Sequence, residues 1–132
     1  MNLLLDTHTF LWFAGRQQYT LLPDATREIL EDENNSLFLS YASIWELTIK
    51  VSIGKMKLTE TISDLVIFQQ TRIDLHLLPF QLKHFDLIER LPFHHKDPFD
   101  RLLIAQAQVE GLTIVGIDAV FDQYGVNRIW LN

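Results

Sequence analysis

The sequence predicts an α/β fold, a three-layer α/β/α sandwich around a mainly parallel sheet. Short apolar runs alternate with longer amphipathic segments along the whole chain, as they do when strands and helices alternate. The late run "LTIVGID" is almost continuously apolar, which is typical of a parallel strand covered on both faces. A length of 132 residues fits one domain that spans residues 1–132.

The first elements follow from local patterns. "NLLLD" predicts a short buried strand that ends at Asp6, and "HTFLWFAG" predicts a helix that Gly15 stops. "LPDATREILEDENN" predicts a helix that starts near Pro23 and Asp24 and fades in the asparagine pair. "SLFLS" predicts the second strand.

The middle of the chain continues the alternation. "YASIWELTIKVSIGK" predicts a helix that is apolar on two faces and therefore deeply buried, with Gly54 at its end. "TISDLVIFQQTR" predicts an amphipathic helix, "IDLHLLP" a strand, and "QLKHFDLIERL" another helix.

The last third contains the strongest helix signal, from Asp97 to Glu110, with Gly111 as its stop. "LTIVGID" and "RIWLN" predict the last two strands. The resulting order is β-α-α-β-α-α-β-α-α-β-β. Ligands of such sheets collect at the carboxyl ends of the strands, where Asp6 and Asp118 each follow an apolar strand.

Composition excludes several classes of protein. No apolar run reaches the roughly 18 residues of a membrane span, and the start of the chain lacks the basic region of a signal peptide. The absence of cysteine excludes disulfides and thiolate metal sites, and a cytoplasmic protein is the expectation. A net charge of −6 argues against a large basic nucleic-acid-binding face, but a nuclease whose acids bind cations remains compatible.

The stretch "HHKDPFDRLLIAQA" contains two carboxylates at the start of the strongest helix. Asp97 before Pro98 matches an N-cap followed by proline at the first helical position. Asp100 stands where an acid either favours the exposed N–H groups of the first turn or faces a metal site, and its local sequence leaves both interpretations open.

Glu46 also has two interpretations. Ser43 and Glu46 match a capping box, but Ser40 is an equally good cap and would place Glu46 inside a largely apolar helix. A carboxylate there needs a cation or a hydrogen-bond partner. Asp6 and Asp118 could each simply cap the element that follows. Brought together with Asp100, however, these acids need a counter-charge, and oxygen ligands without cysteine favour Mg²⁺ or Mn²⁺.

The basic residues give weaker signals. His94 and His95 are adjacent and have no zinc-binding spacing, so a structural or surface role is expected, and a core or rim role is expected for His8. Arg101 adjoins Asp100 and is the best candidate for a phosphate contact. The lysines that could form a basic margin, with solvated charge as the default for most of them, are Lys50, Lys55, Lys57 and Lys96.

Four motifs in this order resemble the PIN-domain family, and most closely its VapC-type toxins from bacterial toxin–antitoxin pairs. They are "LLLDTHTFLW", "SIWEL" with "KVSIGK", "DPFDRLLIAQA" and "GLTIVGIDAVFDQYGV", and they cover nearly the whole chain. The resemblance implies a PIN fold and a Mg²⁺- or Mn²⁺-dependent endoribonuclease. The implied catalytic and metal-binding residues are Asp6, Glu46, Asp100 and Asp118.

The resemblance implies further features. The family often has Thr or Ser two residues before the fourth acid, where this chain has Gly116, so Thr7 and Thr9 are the candidates to supply a hydroxyl. Thr7 joins Arg101 as a candidate substrate-binding residue. The resemblance also implies an RNA substrate, a homodimer and a small antitoxin partner, and the side chains that could line a partner groove are Trp12, Phe13 and Trp45, with core packing favoured for Trp45.

Other classes fit less well. A non-catalytic PIN-like module that binds RNA or protein is the main alternative, against which the presence of all four acids counts. A phospho-acceptor signalling domain needs paired acids after the first strand and a lysine after a late strand. Here Asp6 precedes Thr7 and His8, and "VGID" has no lysine. No Gly-rich phosphate loop is present.

Overall fold

The computed structural model of this chain describes residues 1–16 and 21–132. It confirms the α/β fold and the order of elements, and the sheet is parallel at every pairing of its five strands. The strands are β1 (Asn2–Leu5), β2 (Ser36–Ser40), β3 (His76–Leu78), β4 (Thr113–Val115) and β5 (Arg128–Ile129).

The helices fall close to the predicted segments. They are α1 (Thr7–Phe13), α2 (Asp24–Glu31), α3 (Tyr41–Ser52), α4 (Ile62–Ile73), α5 (Leu82–Arg90) and α6 (Pro98–Glu110), with a short 3₁₀ helix at Ala119–Tyr124. Within the described residues, no helix has the length and apolar character needed to cross a membrane.

The strand order in the sheet is β3-β2-β1-β4-β5, so β1 lies at the centre between β2 and β4. Leu3 and Leu5 point into one apolar cluster with residues of α1, α2 and α4. Leu4 points the other way, into a cluster with residues of α5, α6 and the 3₁₀ helix. This alternation explains why "NLLL" is apolar throughout, because both faces of β1 are covered.

Two helix starts place acids near the sheet. Ser40, the last residue of β2, accepts a hydrogen bond from the backbone N–H of Ala42 and is the N-cap of α3, so Glu46 lies inside that helix. Asp97 accepts from the N–H groups of Phe99 and Asp100 and caps α6, as predicted.

Three expectations about the elements are wrong. The helix from Pro23 ends at Glu31, before the asparagine pair. Helix α3 is not deeply buried on two faces, since 55% of Trp45 and 59% of Ile53 are exposed. Strand β4 ends at Val115, so Asp118 lies three residues beyond it and is the N-cap of the 3₁₀ helix.

Candidate metal centre

Asp6 lies directly after the central strand and is buried, with 6% of its surface exposed. Its Oδ1 accepts a 2.8 Å hydrogen bond from the N–H of Thr9, so the side chain caps α1. Burial raises the pKa of Asp6, and the negative charge of Glu46 adds to this effect, although the bonds from Thr9 and the charge of His8 partly oppose it. The carboxylate therefore lies in surroundings where a cation would favour its charged form.

Glu46 projects from the second turn of α3 toward the same place. Its Oε1 accepts a 2.8 Å hydrogen bond from the hydroxyl of Thr7, and its Oε2 lies 3.2 Å from the Lys50 ammonium. The Thr7 hydroxyl also lies 3.0 Å from that of Ser43. The first turn of α1 therefore contacts two acids: the N–H of Thr9 binds Asp6, and the hydroxyl of Thr7 orients Glu46.

Asp100 lies in the first turn of α6. Burial, followed by the negative charge of Asp97, raises the pKa of Asp100 from its ordinary 3.8 to about 7, and the neighbouring His95 opposes this rise. Asp6 and Glu46 contribute further repulsion. A carboxylate that three other acids destabilise is one that a divalent cation would stabilise.

Asp118 is the fourth predicted acid and lies at the start of the 3₁₀ helix after β4. Its Oδ1 accepts a hydrogen bond from the N–H of Val120, and half of its side chain is exposed. Asp118 lines the same cavity as Asp6, as predicted. The residues between the end of β4 and the 3₁₀ helix, rather than the strand itself, bring it there.

A cavity of about 350 Å³, here called the acidic cavity, brings the four predicted acids together with Asp97. They come from four places in the fold: the end of β1, helix α3, the start of α6 and the N-cap of the 3₁₀ helix. The complete lining is Asp6, Thr7, His8, Glu46, Asp97, Asp100, Ile117, Asp118 and Phe121. An all-carboxylate set with no thiolate fits a hard divalent cation such as Mg²⁺ or Mn²⁺.

His95 lies beside two of the acids that line this cavity. Its Nε2 is 2.7 Å from Oδ2 of Asp100 and 3.7 Å from Oδ2 of Asp118. Its Nδ1 accepts from the N–H of Asp97, which places the ring proton on Nε2, facing the acids. The Nε2 of His95 lies close to the Asp100 carboxylate, but the contact does not have the direction of a hydrogen bond. No spacing in the sequence signals this contact, because a loop before α6 creates it.

Arg101 has a different role from the predicted phosphate contact. Only 6% of its surface is exposed, and its guanidinium donates to the backbone carbonyls of Pro92, Ile88 and Leu91. It also lies 4.2 Å from the centre of the Phe93 ring. Arg101 therefore holds the loop that leads to His95, and its charge is not presented to a substrate.

The hydroxyls of the two threonines both bond to groups of the protein. The Thr9 hydroxyl donates to the carbonyl of Val115 and is fully buried. Thr7 is buried and lines the acidic cavity, where its hydroxyl donates to Glu46 and orients that carboxylate. A contact between Thr7 and substrate stays a prediction.

The burial of the three aromatic side chains considered for a partner groove is the opposite of what the sequence predicts. Trp12 and Phe13 are buried in the core, so they present little surface to a partner. Trp45, expected in the core, is exposed and packs edge-on against Phe99.

Comparison with known proteins agrees with the α/β fold. The model of the PIN domain family matches residues 3–127. No curated protein matches the chain. Among solved structures, the chain is similar to VapBC2 from Rickettsia felis, bound to a DNA fragment from its promoter, at 21% identity and a TM-score of 0.75, covering 98% of this chain and 99% of that one.

Two further solved structures are similar. VapBC-1 from nontypeable Haemophilus influenzae matches with 17% identity and a TM-score of 0.65, over 98% of this chain and 97% of that chain. FitAcB from Neisseria gonorrhoeae matches with 19% identity and a TM-score of 0.60, over 96% of each chain. At these identities the similarity shows a shared fold.

Proposed function

Because the chain belongs to the PIN domain family, we propose that it is a Mg²⁺- or Mn²⁺-dependent endoribonuclease that acts as the toxin of a toxin–antitoxin pair. The observation that carries the proposal is the convergence of Asp6, Glu46, Asp100 and Asp118 in one cavity at the carboxyl ends of the central strands.

The residues have separate roles in this proposal. Asp6, Asp100 and Asp118 would hold the cation, and Glu46 would bind it directly or through water, or position the attacking water. A bound divalent cation supplies a coordinated water of lowered pKa and positive charge for the phosphodiester. Thr7 fixes the orientation of Glu46 by its 2.8 Å hydrogen bond, and the expected products carry a 5′-phosphate and a 3′-hydroxyl.

An RNA cleavage assay with Mg²⁺ tests the assignment. Asp6→Asn and Asp100→Asn should each lower the cleavage rate on the order of a hundredfold or more, because each removes a charge that faces the cation. Asp86→Asn is the matched control, since Asp86 is exposed on α5 and lies outside the acidic cavity. Undiminished cleavage by both cavity variants would exclude this site, and an inactive parent protein would favour the non-catalytic module.

The partner side of the proposal is a cognate antitoxin that binds a homodimer of this chain. An apolar cavity of about 430 Å³ between α3 and α4 supports a protein partner, because its lining includes the exposed side chains of Tyr41, Trp45 and Ile67. Expression of this chain alone should arrest growth, and co-expression of the small protein encoded next to it should restore growth. Arrest that persists with that protein present would contradict the pairing.

A further inference from the structure

A second cavity, here called the lysine groove, adjoins the acidic cavity. It has a volume of about 480 Å³ and lies between the end of α3 and the start of α6. Glu46 and Asp97 line both cavities, so the lysine groove lies directly beside the proposed cation site.

The lysine groove concentrates positive charge in an acidic protein. Three of the five lysines in the chain, Lys50, Lys55 and Lys96, line it, although the net charge is −6. Lys50 pairs with Glu46. Lys55 and Lys96 are exposed, and neither forms an ion pair within the part of the chain that the structure describes. Their charges are therefore available to an anion.

The floor of the lysine groove is apolar. Ile49, Ile53 and Phe99 line it, and 59% of Ile53 is exposed. Phe99 is held in place by the edge-on contact of its ring with Trp45. Apolar surface flanked by cationic side chains is complementary to a strand whose phosphates and unpaired bases are both accessible.

We propose that the lysine groove binds the single-stranded polynucleotide next to the scissile phosphate, with Lys55 and Lys96 on flanking phosphates and the bases over Ile53 and Phe99. This rests on the proposed nuclease function. The position of the groove beside a cation site proposed to take a phosphodiester favours a nucleic acid over an acidic peptide, whose carboxylates need no such site.

A binding experiment tests the groove apart from catalysis. The double variant Lys55→Gln/Lys96→Gln and the control Lys57→Gln/Arg90→Gln each remove two positive charges. Lys57 and Arg90 are exposed and lie outside the groove. Both are made in the Asp6→Asn background with Mg²⁺, and the affinity for a labelled single-stranded RNA is measured by fluorescence anisotropy over a range of salt concentrations.

The groove variant should lose about 1.4 from the slope of log K against log salt, because each single-strand phosphate contact contributes about 0.7. This corresponds to roughly 25-fold weaker binding at 0.1 M salt. The control should bind like the Asp6→Asn parent. Equal losses in the two variants would mean that only the overall charge matters and would overturn the proposal.

Two competitors identify the occupant. A single-stranded DNA of the same sequence that competes through the same lysines supports the proposal, since the backbone phosphates are the shared feature. A glutamate-rich peptide of equal charge that competes as well as RNA, and loses this ability in the groove variant, would overturn it in favour of a protein segment.

Cleavage kinetics with the native acids separate this inference from the proposed function. If both hold, Lys55→Gln/Lys96→Gln raises KM and leaves kcat nearly unchanged. Cleavage with an unchanged KM contradicts the groove alone. Lysine-dependent binding without any cleavage by the parent protein contradicts the nuclease alone.

Discussion

Asp100 and Arg101 are neighbours in the chain, yet their charges lie in opposite surroundings. Asp100 faces the acidic cavity, where burial and Asp97 raise its pKa to about 7. Arg101 points to the other side of α6, where the carbonyls of Pro92, Ile88 and Leu91 accept its hydrogen bonds. The first turn of α6 therefore contains a negative charge that its surroundings disfavour, at Asp100, and a positive charge that hydrogen bonds stabilise, at Arg101.

The difference indicates what each charge contributes. A buried cation surrounded by acceptors contributes to the stability of the folded loop. A buried anion surrounded by other anions opposes folding in the absence of a cation, and such groups concentrate at functional sites. Variants on the two sides of α6 should therefore change stability in opposite directions.

The largest expected change follows Arg101→Met. It keeps much of the apolar stem but leaves buried carbonyl groups without a donor and removes the contact with the Phe93 ring. We expect a loss of about 3 kcal/mol in the free energy of unfolding, measured with urea.

Arg90→Met is the matched control, because Arg90 is exposed at the end of α5 and should change stability by no more than about 0.5 kcal/mol. Equal stability of Arg101→Met and the parent protein would show that the segment from Ile88 to His95 folds without the hydrogen bonds of Arg101.

The sequence predicts the parts of the fold that depend on local patterns. "NLLL" identifies β1 because every position of a strand covered on both faces is apolar. Asp97, Pro98 and Gly111 bound α6 correctly because caps, a starting proline and a left-handed end are local signals.

Long-range contacts explain what the sequence does not predict. An apolar helix face does not indicate whether another element covers it. The sequence pattern therefore could not predict that Trp45 is exposed and Trp12 is buried. The approach of His95 to Asp100 and the carbonyl contacts of Arg101 depend on the path of the loop before α6. The acids of the site were predicted from their residue types and their positions relative to the strands and helices. The residues that contact these acids, such as Thr7 and His95, become apparent only in the assembled fold.

A smaller change of opposite sign is expected for Asp100→Asn. In the cation-free protein the pKa of Asp100 is raised from 3.8 to about 7, so the native state binds this proton more tightly than the unfolded state. The free energy of unfolding therefore falls as pH rises from about 4 to about 7. The full shift would correspond to about 4 kcal/mol. Because the side chain of Asp100 is partly exposed and solvent screens its charge, the variant should exceed the parent protein by on the order of 2 kcal/mol at pH 8 and equal it below pH 4.

Urea unfolding at these two pH values, in a chelator, measures the difference. Asp86→Asn is the control, because Asp86 is exposed outside the acidic cavity and should give no such pH-dependent gain. A variant that is less stable than the parent protein at pH 8 would contradict an unfavourable charge at Asp100.

The smallest change concerns Gly116, which lies against Asp6. A Cβ at position 116 would be 2.5 Å from Oδ2 of Asp6. The backbone of Gly116 cannot easily move, since its N–H donates to the carbonyl of Ile129 and its carbonyl accepts from Arg128. The side chain of Asp6 must therefore rotate away in Gly116→Ala, and the hydroxyl residue that the family often has here does not fit this position of Asp6.

Displacement of Asp6 should weaken cation binding about tenfold, as measured by calorimetric titration with Mn²⁺, because orientation of a ligand matters nearly as much as its presence. Gly111→Ala is the contrasting control. Gly111 has a φ of 68° and open space around it at the far end of α6, so its replacement should cost about 1 kcal/mol of stability and leave the cation affinity unchanged. Unaltered Mn²⁺ affinity in Gly116→Ala would mean that Asp6 binds the cation in another rotamer, one that leaves room for a side chain at position 116.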